Sequence, residues 1–280
     1  MDSLVPDRIR RLVRSRSAVF GGLLISILLA VALFAPVLAP HHPLDQSFPR
    51  QLQPPSAGFW FGTDEFGRDI LSRIIFGARI ALGIGALAVG IAVALGVPLG
   101  LVAGYFGGRL DTSIMRTMDV VLAFPYLLLA LIVVTLLGFG LVNVMIAVGL
   151  VYVPQYSRIV RSVTLSVRER LFVEAARAIG GSNLRIICRH VLPNCLAPII
   201  VQTTLSLGWA IVNAAGLSFL GLGAQPPTPE WGAMLSSGRE YMRNAPWITT
   251  FPGLAILFTA LGFNLLGDGL RDAFDPRLKD

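Results

Sequence analysis

Long apolar runs alternate with short polar interruptions along the chain, and the runs are long enough to decide its class. Read in windows of about 19 residues, they fall at roughly Ala18–Leu38, Ile80–Ala103, Val120–Leu137, Phe139–Ser157, Cys195–Gly216 and Trp247–Leu266. This predicts six membrane-spanning helices, because about 20 apolar residues in a helix cover the ~30 Å hydrocarbon layer. Gly138-Phe139-Gly140 is the one break between the third and fourth runs. An unbroken helix of roughly 36 residues would be too long for one crossing, so a tight hairpin is expected at that break. Pro125 and Pro154 are expected to kink or bound these helices, which membrane helices tolerate when neighbours satisfy the freed carbonyls.

One polar stretch stands out between the fourth and fifth runs: Val173 to Pro193, VEAARAIGGSNLRIICRHVLP. Ser166-Val167-Arg168-Glu169 has the form of a capping box, so a helix is predicted to start near Val167 and to stop at Gly180, the natural left-handed C-cap residue. Leu171, Phe172, Ala175, Ala176 and Ile179 gather on one face of that helix, while Arg170, Val173, Glu174 and Arg177 mostly take the other. Gly180-Gly181 then turns the chain, Ser182 or Asn183 caps a second short helix, and Leu192-Pro193 ends it. The product is a helical hairpin suited either to docking on a partner or to lying on the lipid surface.

Composition agrees with the periodicity. The 280 residues are 54% hydrophobic and 14% charged, the balance of a membrane protein rather than of one or two soluble domains. The net charge of +7 raises the possibility of nucleic-acid binding, but the placement of the basic residues reads as topology. With the N-terminus inside, five arginines lie in the tail (Arg8, Arg10, Arg11, Arg14, Arg16) and two after the second span (Arg109, Arg116). Seven follow the fourth span (Arg158, Arg161, Arg168, Arg170, Arg177, Arg185, Arg189) and three basic residues end the chain (Arg271, Arg277, Lys279). These make 17 of 23, against Arg50, Arg68, Arg73, Arg239 and Arg243 outside and Arg79 at a boundary. Both termini are therefore expected in the cytoplasm, with no nucleic acid as partner. The first run is too long for a signal-peptide core and lacks a cleavage site, so it is expected to remain as an anchor.

Reactive chemistry is not evident. No phosphate-binding G-x-x-x-x-G-K-[ST], H-E-x-x-H or G-x-S-x-G pattern occurs. Cys188, Cys195 and His190 lack a fourth ligand for a zinc site, and His41-His42 is a weak metal signal. The span centres carry no ionisable residue, unlike transporters that couple protons or ions. Their polar groups are neutral: Thr135, Asn143, Gln202, Thr203, Thr204, Ser206, Asn213 and Asn264. These either line a pathway, for which Asn143, Gln202, Thr203 and Asn213 are the candidates, or hydrogen-bond between helices. Gly96, Gly100 and Gly104, with Gly83, Gly85 and Gly90, give the second span small surfaces for packing within the chain or against another subunit.

The pattern Glu174-Ala175-Ala176-x3-Gly180-x9-His190-x-Leu192-Pro193 resembles the cytoplasmic EAA loop of binding-protein-dependent ABC importer permeases. FGTDEFGRDILSRIIFGAR (Phe61–Arg79), AGYFGGRLD (Ala103–Asp111), LSFLGLGAQPPTPEWGAML (Leu217–Leu235) and NLLGDGLRDAFDPR (Asn264–Arg277) are similar to the dipeptide, oligopeptide and nickel branch, in its second, DppC/OppC-like subunit. The general motif often has an aliphatic residue where His190 stands, and peptide-type permeases commonly carry His there. The resemblance implies an all-α protein of the bacterial inner (plasma) membrane with the type I ABC importer transmembrane fold. It further implies ATPase coupling through Glu174, Ala175, Ala176, Arg177, Gly180, His190, Leu192 and Pro193.

The implied organisation is a basic tail (1–17), a first transmembrane helix (18–38), an extracytoplasmic segment (39–79), a permease core (80–267) containing the loop 158–193, and a cytoplasmic tail (268–280). The resemblance implies as partners a second homologous permease, two ATPase subunits or domains, an extracytoplasmic binding protein and membrane lipid. ATP and magnesium would be held by the ATPase, with no cofactor in this chain. Peptides are the implied cargo, with glutathione or nickel as alternatives, and a secondary transporter or channel is the rival class.

Overall fold

A computed structural model describes residues 15–274; Arg8, Arg10, Arg11, Arg14, Arg277 and Lys279 lie outside them. Among the described residues the architecture is entirely helical, apart from one isolated bridge between Thr63 and Asp69. Helix α1 (Arg16–Leu33) stops at Phe34, and the single turn α2 (Ala35–Leu38) follows with Pro36 in its first turn. The first expected span is therefore broken: Pro36 has no N–H to continue the helical ladder. Helix α3 (Ile70–Phe106) starts at Ile70 rather than Ile80, because Asp69 caps it, Oδ2 accepting from the Ser72 N–H at 2.9 Å.

The third expected span, Val120–Leu137, is not one helix: it takes in the last turn of α4 (Gly108–Ala123) and all of α5 (Tyr126–Leu137), which meet at a bend of 97°. Phe124, just before Pro125, has φ −84° and ψ 137°, the extended geometry that a following proline imposes. The expected hairpin is present: Gly138 and Gly140 have φ of 94° and 140°, and α6 (Leu141–Arg168) follows. Pro154 lies inside α6 without ending it.

After α6 come α7 (Leu171–Ala178), α8 (Asn183–Ile186), a π-helical turn at Ile187–Val191 and α9 (Leu192–Phe219). Two expectations fail here. The capping box at Ser166–Glu169 starts no helix, because those residues complete α6 and its cap. Leu192-Pro193 ends no helix either: the Leu192 N–H bonds to Ile187 O, and Pro193 sits in the first turn of α9, where its missing N–H is tolerated. Asn183–Phe219 is thus one helical unit of 37 residues. Helices α10 (Trp231–Gly238) and α11 (Trp247–Phe274) complete the order, and α11 takes residues 268–274, expected as tail, into its last turns.

Helices α3 and α6 form the most extensive pair. A Cβ on Gly96 would lie 2.6 Å from Tyr156 Cβ, and one on Gly104 2.6 Å from Thr164 Cβ. Glycine at these positions lets the two backbones approach, so this stripe packs within the chain. Gly83 and Gly90 face open space. Helix α1 lies against α11, where a Cβ on Gly262 would stand 3.0 Å from Leu24 Cβ. By length and composition α1, α3, the α8–α9 unit and α11 can cross a membrane, and the bent α4–α5 pair makes a fifth candidate. Helix α6 is long enough, but its latter part carries Arg158, Arg161 and Arg168.

Candidate functional site

The hairpin between α6 and α9 closes by geometry specific to its glycines. Gly180 has φ 81°, and its N–H bonds to Arg177 O at 2.9 Å while the Gly181 N–H bonds to Ala176 O at 3.0 Å. This pair of bonds satisfies the last carbonyls of α7 and reverses the chain. A Cβ on Gly180 would meet nothing, so backbone strain alone excludes a β-branched residue there; at Gly181 a Cβ would stand 2.7 Å from Ala176 O.

The buried side of α7 differs from the expected one. Val173, assigned above to the charged face, is fully buried, with Ala176 beside it, while Leu171 and Ile179 are 83% and 86% exposed. Glu174, Ala175 and Arg177 are exposed, and His190 is half-buried 6.3 Å from the Phe172 ring. Leu184 of α8 is 72% exposed. The hairpin therefore anchors itself by small and branched residues and presents large apolar ones outward.

Its attachment runs through Tyr105, at the end of α3, which sequence reasoning missed. The Tyr105 hydroxyl donates to Asn183 Oδ1 at 3.0 Å and accepts from Arg177 Nε at 3.4 Å. The Arg177 guanidinium also lies 5.0 Å from the Tyr105 ring centroid. Nearby, Arg168 Nη1 donates to Gly104 O at 2.9 Å. Arg161 grips Asp111 with two bonds of 2.5 and 2.6 Å, and Arg158 reaches Asp119 at 2.6 Å, tying α4 to α6. Cys188 is exposed and Cys195 is buried.

A cavity of about 580 Å³ opens between α5, α6 and α9, lined in part by Tyr126, Tyr152, Gln155, Gln202, Trp209 and Asn213. Two of the four expected pathway residues thus meet there. Asn213 Nδ2 donates to Tyr152 Oη at 3.0 Å, and Gln202 Nε2 donates to Ser206 Oγ at 3.1 Å. Thr203 accepts instead from the Tyr156 hydroxyl at 3.3 Å, between helices. Asn143 does not line the cavity: its Nδ2 donates to Leu137 O and Gly138 O at 3.0 Å, closing the α5–α6 turn.

At the opposite end of the bundle from the hairpin, the segment before α3 is locked by buried charges. Asp64 Oδ1 accepts from the Phe66 and Arg68 N–H groups, and Oδ2 from Arg68 Nε at 2.6 Å. Arg73 Nη1 donates to Pro43 O at 3.2 Å and Pro227 O at 3.3 Å, drawing two distant loops together. Trp247 Nε1 donates to Thr63 O at 3.2 Å. Glu230 caps α10 by accepting from the Gly232 and Ala233 N–H groups at 3.0 and 2.7 Å; burial pushes its carboxyl above the usual range, against the lowering by those bonds. Burial, reinforced by the neighbouring Asp64 charge, raises Glu65 as well.

A bundle of apolar helices around a neutral polar cavity, with an outward-facing hairpin at one end, places the chain among polytopic membrane transport proteins. Residues 96–280 match the family described as the binding-protein-dependent transport system inner membrane component, and residues 3–55 match the N-terminal TM domain of oligopeptide transport permease C. The chain belongs to this permease family. It is 50% identical to the dipeptide transport system permease protein DppC of Alkalihalophilus pseudofirmus, over 98% of this chain and 90% of that protein. Identity is 51% to the di/tripeptide transport system permease protein DppC of Pseudomonas aeruginosa, over 93% and 88%. It is 49% to the glutathione transport system permease protein GsiD of Escherichia coli O157:H7, over 96% and 89%. A chain of the inward-facing MetNI methionine ABC transporter shares the fold, with TM-score 0.60, 16% identity and coverage of 74% of this chain and 98% of that one.

Proposed function

We propose that this protein is a transmembrane permease subunit of an ABC importer for di- and tripeptides. It pairs with a second homologous permease, two ATPase subunits or domains and an extracytoplasmic binding protein. Six crossings with both termini in the cytoplasm fit the charge distribution. Helix α6 then crosses by its apolar half, and its arginines meet α4 at the inner surface.

One observation carries the reading. The second arm of the exposed hairpin, α8 with Leu184, and the α9 side of the cavity belong to the same helical unit, Asn183–Phe219. At 1.5 Å per residue Gln202 and Asn213 lie roughly 18 and 35 Å along it from His190. A push on Leu171, Ile179 and Leu184 by a closing ATPase pair is resisted locally by Val173 and Tyr105, so it is delivered to α9 as a rigid displacement. ATP binding on the partner shifts the inward and outward populations of the cavity through that displacement. Glu174, Ala175 and Gly180 supply a charged group, a close-seating surface and the turn. Glutathione, itself a short peptide, is the second reading, favoured by the identity to GsiD.

The test is uptake by proteoliposomes containing the complex purified from its native membrane, with and without internal ATP. ATP-dependent accumulation of labelled di- or tripeptides is expected. Uptake that proceeds without nucleotide would instead establish a secondary transporter.

A further inference from the structure

We infer that the α9 wall of the cavity is a charge-neutral site that reads the peptide main chain, with Gln202 at its border. This rests on the peptide-importer reading above. Two cavities lie along α9: the one of about 580 Å³ already described, and one of about 420 Å³ lined by residues including Ile159, Val201 and Arg271. Gln202 and Leu205 are the residues common to both linings. Gln202 therefore borders both cavities.

The chemistry of the larger cavity is uniform. Its polar side chains are the carboxamides of Gln155, Gln202 and Asn213, the hydroxyls of Tyr126 and Tyr152, and Ser206; its lining contains no Asp, Glu, Lys, Arg or His. A carboxamide offers a carbonyl acceptor and an NH₂ donor, the same pair that a peptide bond presents. The donors are already aimed: Gln202 Nε2 toward Gln155 Oε1 at 3.4 Å and Ser206 Oγ at 3.1 Å, and Asn213 toward Tyr152 at 3.0 Å. A peptide amide can exchange into this network without leaving a buried polar group unpaired. Trp209, 54% exposed at the mouth, offers an aromatic face that tolerates any side chain. A wall with no charge neither attracts nor repels Lys- or Glu-containing peptides strongly, so one site passes peptides of differing side chains. Side-chain selection then falls to the binding protein.

The experiment uses the reconstituted complex and three peptides of similar size, Ala-Gln, Ala-Glu and Ala-Lys, at saturating binding protein, so that uptake rate reports the membrane step. Wild type is expected to move all three at similar rates, and Gln202→Leu to slow all three together. Gln202→Glu is expected to raise the Ala-Lys to Ala-Glu rate ratio by about tenfold, the scale of one charge-assisted hydrogen bond. Gln155→Glu, at an exposed side chain on the facing α6 wall of the same cavity, is expected to shift the ratio in the same direction. ATPase co-purification serves as the check on assembly of each variant. An unchanged ratio in assembled Gln202→Glu and Gln155→Glu complexes would overturn the site while leaving the peptide-importer reading standing. A wild-type complex that transports none of the three peptides would overturn both.

Discussion

At the end of the bundle where α3 begins, Asp64, Arg68, Asp69 and Arg73 are only 3–4% exposed and bond to one another or to nearby backbone; at the end that carries the hairpin, Leu171, Ile179 and Leu184 are 72–86% exposed. Charges are buried where the chain completes itself, and apolar residues are exposed where it does not. The difference teaches where the partner with most to gain must sit. Desolvated charges are tolerated only when paired within a fixed geometry, so this cap is a finished structure that holds α3, the 225–231 loop and α11 in register. Large exposed apolar groups on a polar hairpin are a surface awaiting cover.

Disrupting the cap should have the largest effect on the chain itself. Asp64→Ala leaves Arg68 and Arg73 buried without their shared carboxylate, and a loss of about 3–5 kcal/mol is expected, read as a fall in thermal midpoint in detergent. If the midpoint holds, the cap is not the self-contained lock described. Gly180→Val forces a β-branched residue into φ 81°, a strain of about 1–3 kcal/mol confined to the turn. Membrane insertion should survive and ATP-driven uptake should fall. Normal uptake in this variant would separate the hairpin from coupling.

A finer probe of the cap is pH. The Glu230 carboxyl titrates above its usual 4.5 because it is buried, so the folded state favours the protonated form. Its contribution to stability is full below the ordinary carboxylate value and is lost as pH rises through the raised one. Glu230→Gln, which keeps an acceptor for the α10 N-terminus, removes this dependence. Wild type should therefore lose thermal stability relative to Glu230→Gln as pH rises from below 4.5, and parallel curves would refute the assignment. The smallest effect is expected from Tyr105→Phe, which removes the bonds to Asn183 and Arg177 but keeps the ring, about 1 kcal/mol. Its signature should be more ATP hydrolysed per peptide transported, through a looser hairpin.

Much of this was legible in the sequence, and each failure has its own physical cause. Apolar run length found the helices, and Gly138, Gly140 and Gly180 marked turns because no other residue takes their backbone angles cheaply. Helix ends were misjudged where a polar residue extends a helix beyond its apolar part: Asp69 starts α3 well before Ile80, and α6 continues through the Ser166 box to Arg168. Periodicity misassigned the faces of α7: it separated Val173 from Ala176, yet these are the two residues the helix buries, while Leu171 and Ile179 face outward. Tyr105 itself gave no signal, because a lone tyrosine ending an apolar run reads as an interface residue. Gln202 and Asn213 were found as neutral amides in apolar spans, and Asn143 shared that signal while serving a turn.

The central claim is that the exposed apolar hairpin is the seat of the ATPase. The most direct measurement is co-purification of an ATPase chain with wild type and with a Leu171→Asp/Ile179→Asp variant, from the native membrane in mild detergent. Both positions are exposed, so the variant's own stability should change by no more than about 0.5 kcal/mol per site. The account predicts that the ATPase accompanies wild type and is lost from the variant at an unchanged thermal midpoint. Undiminished ATPase in the variant would contradict it.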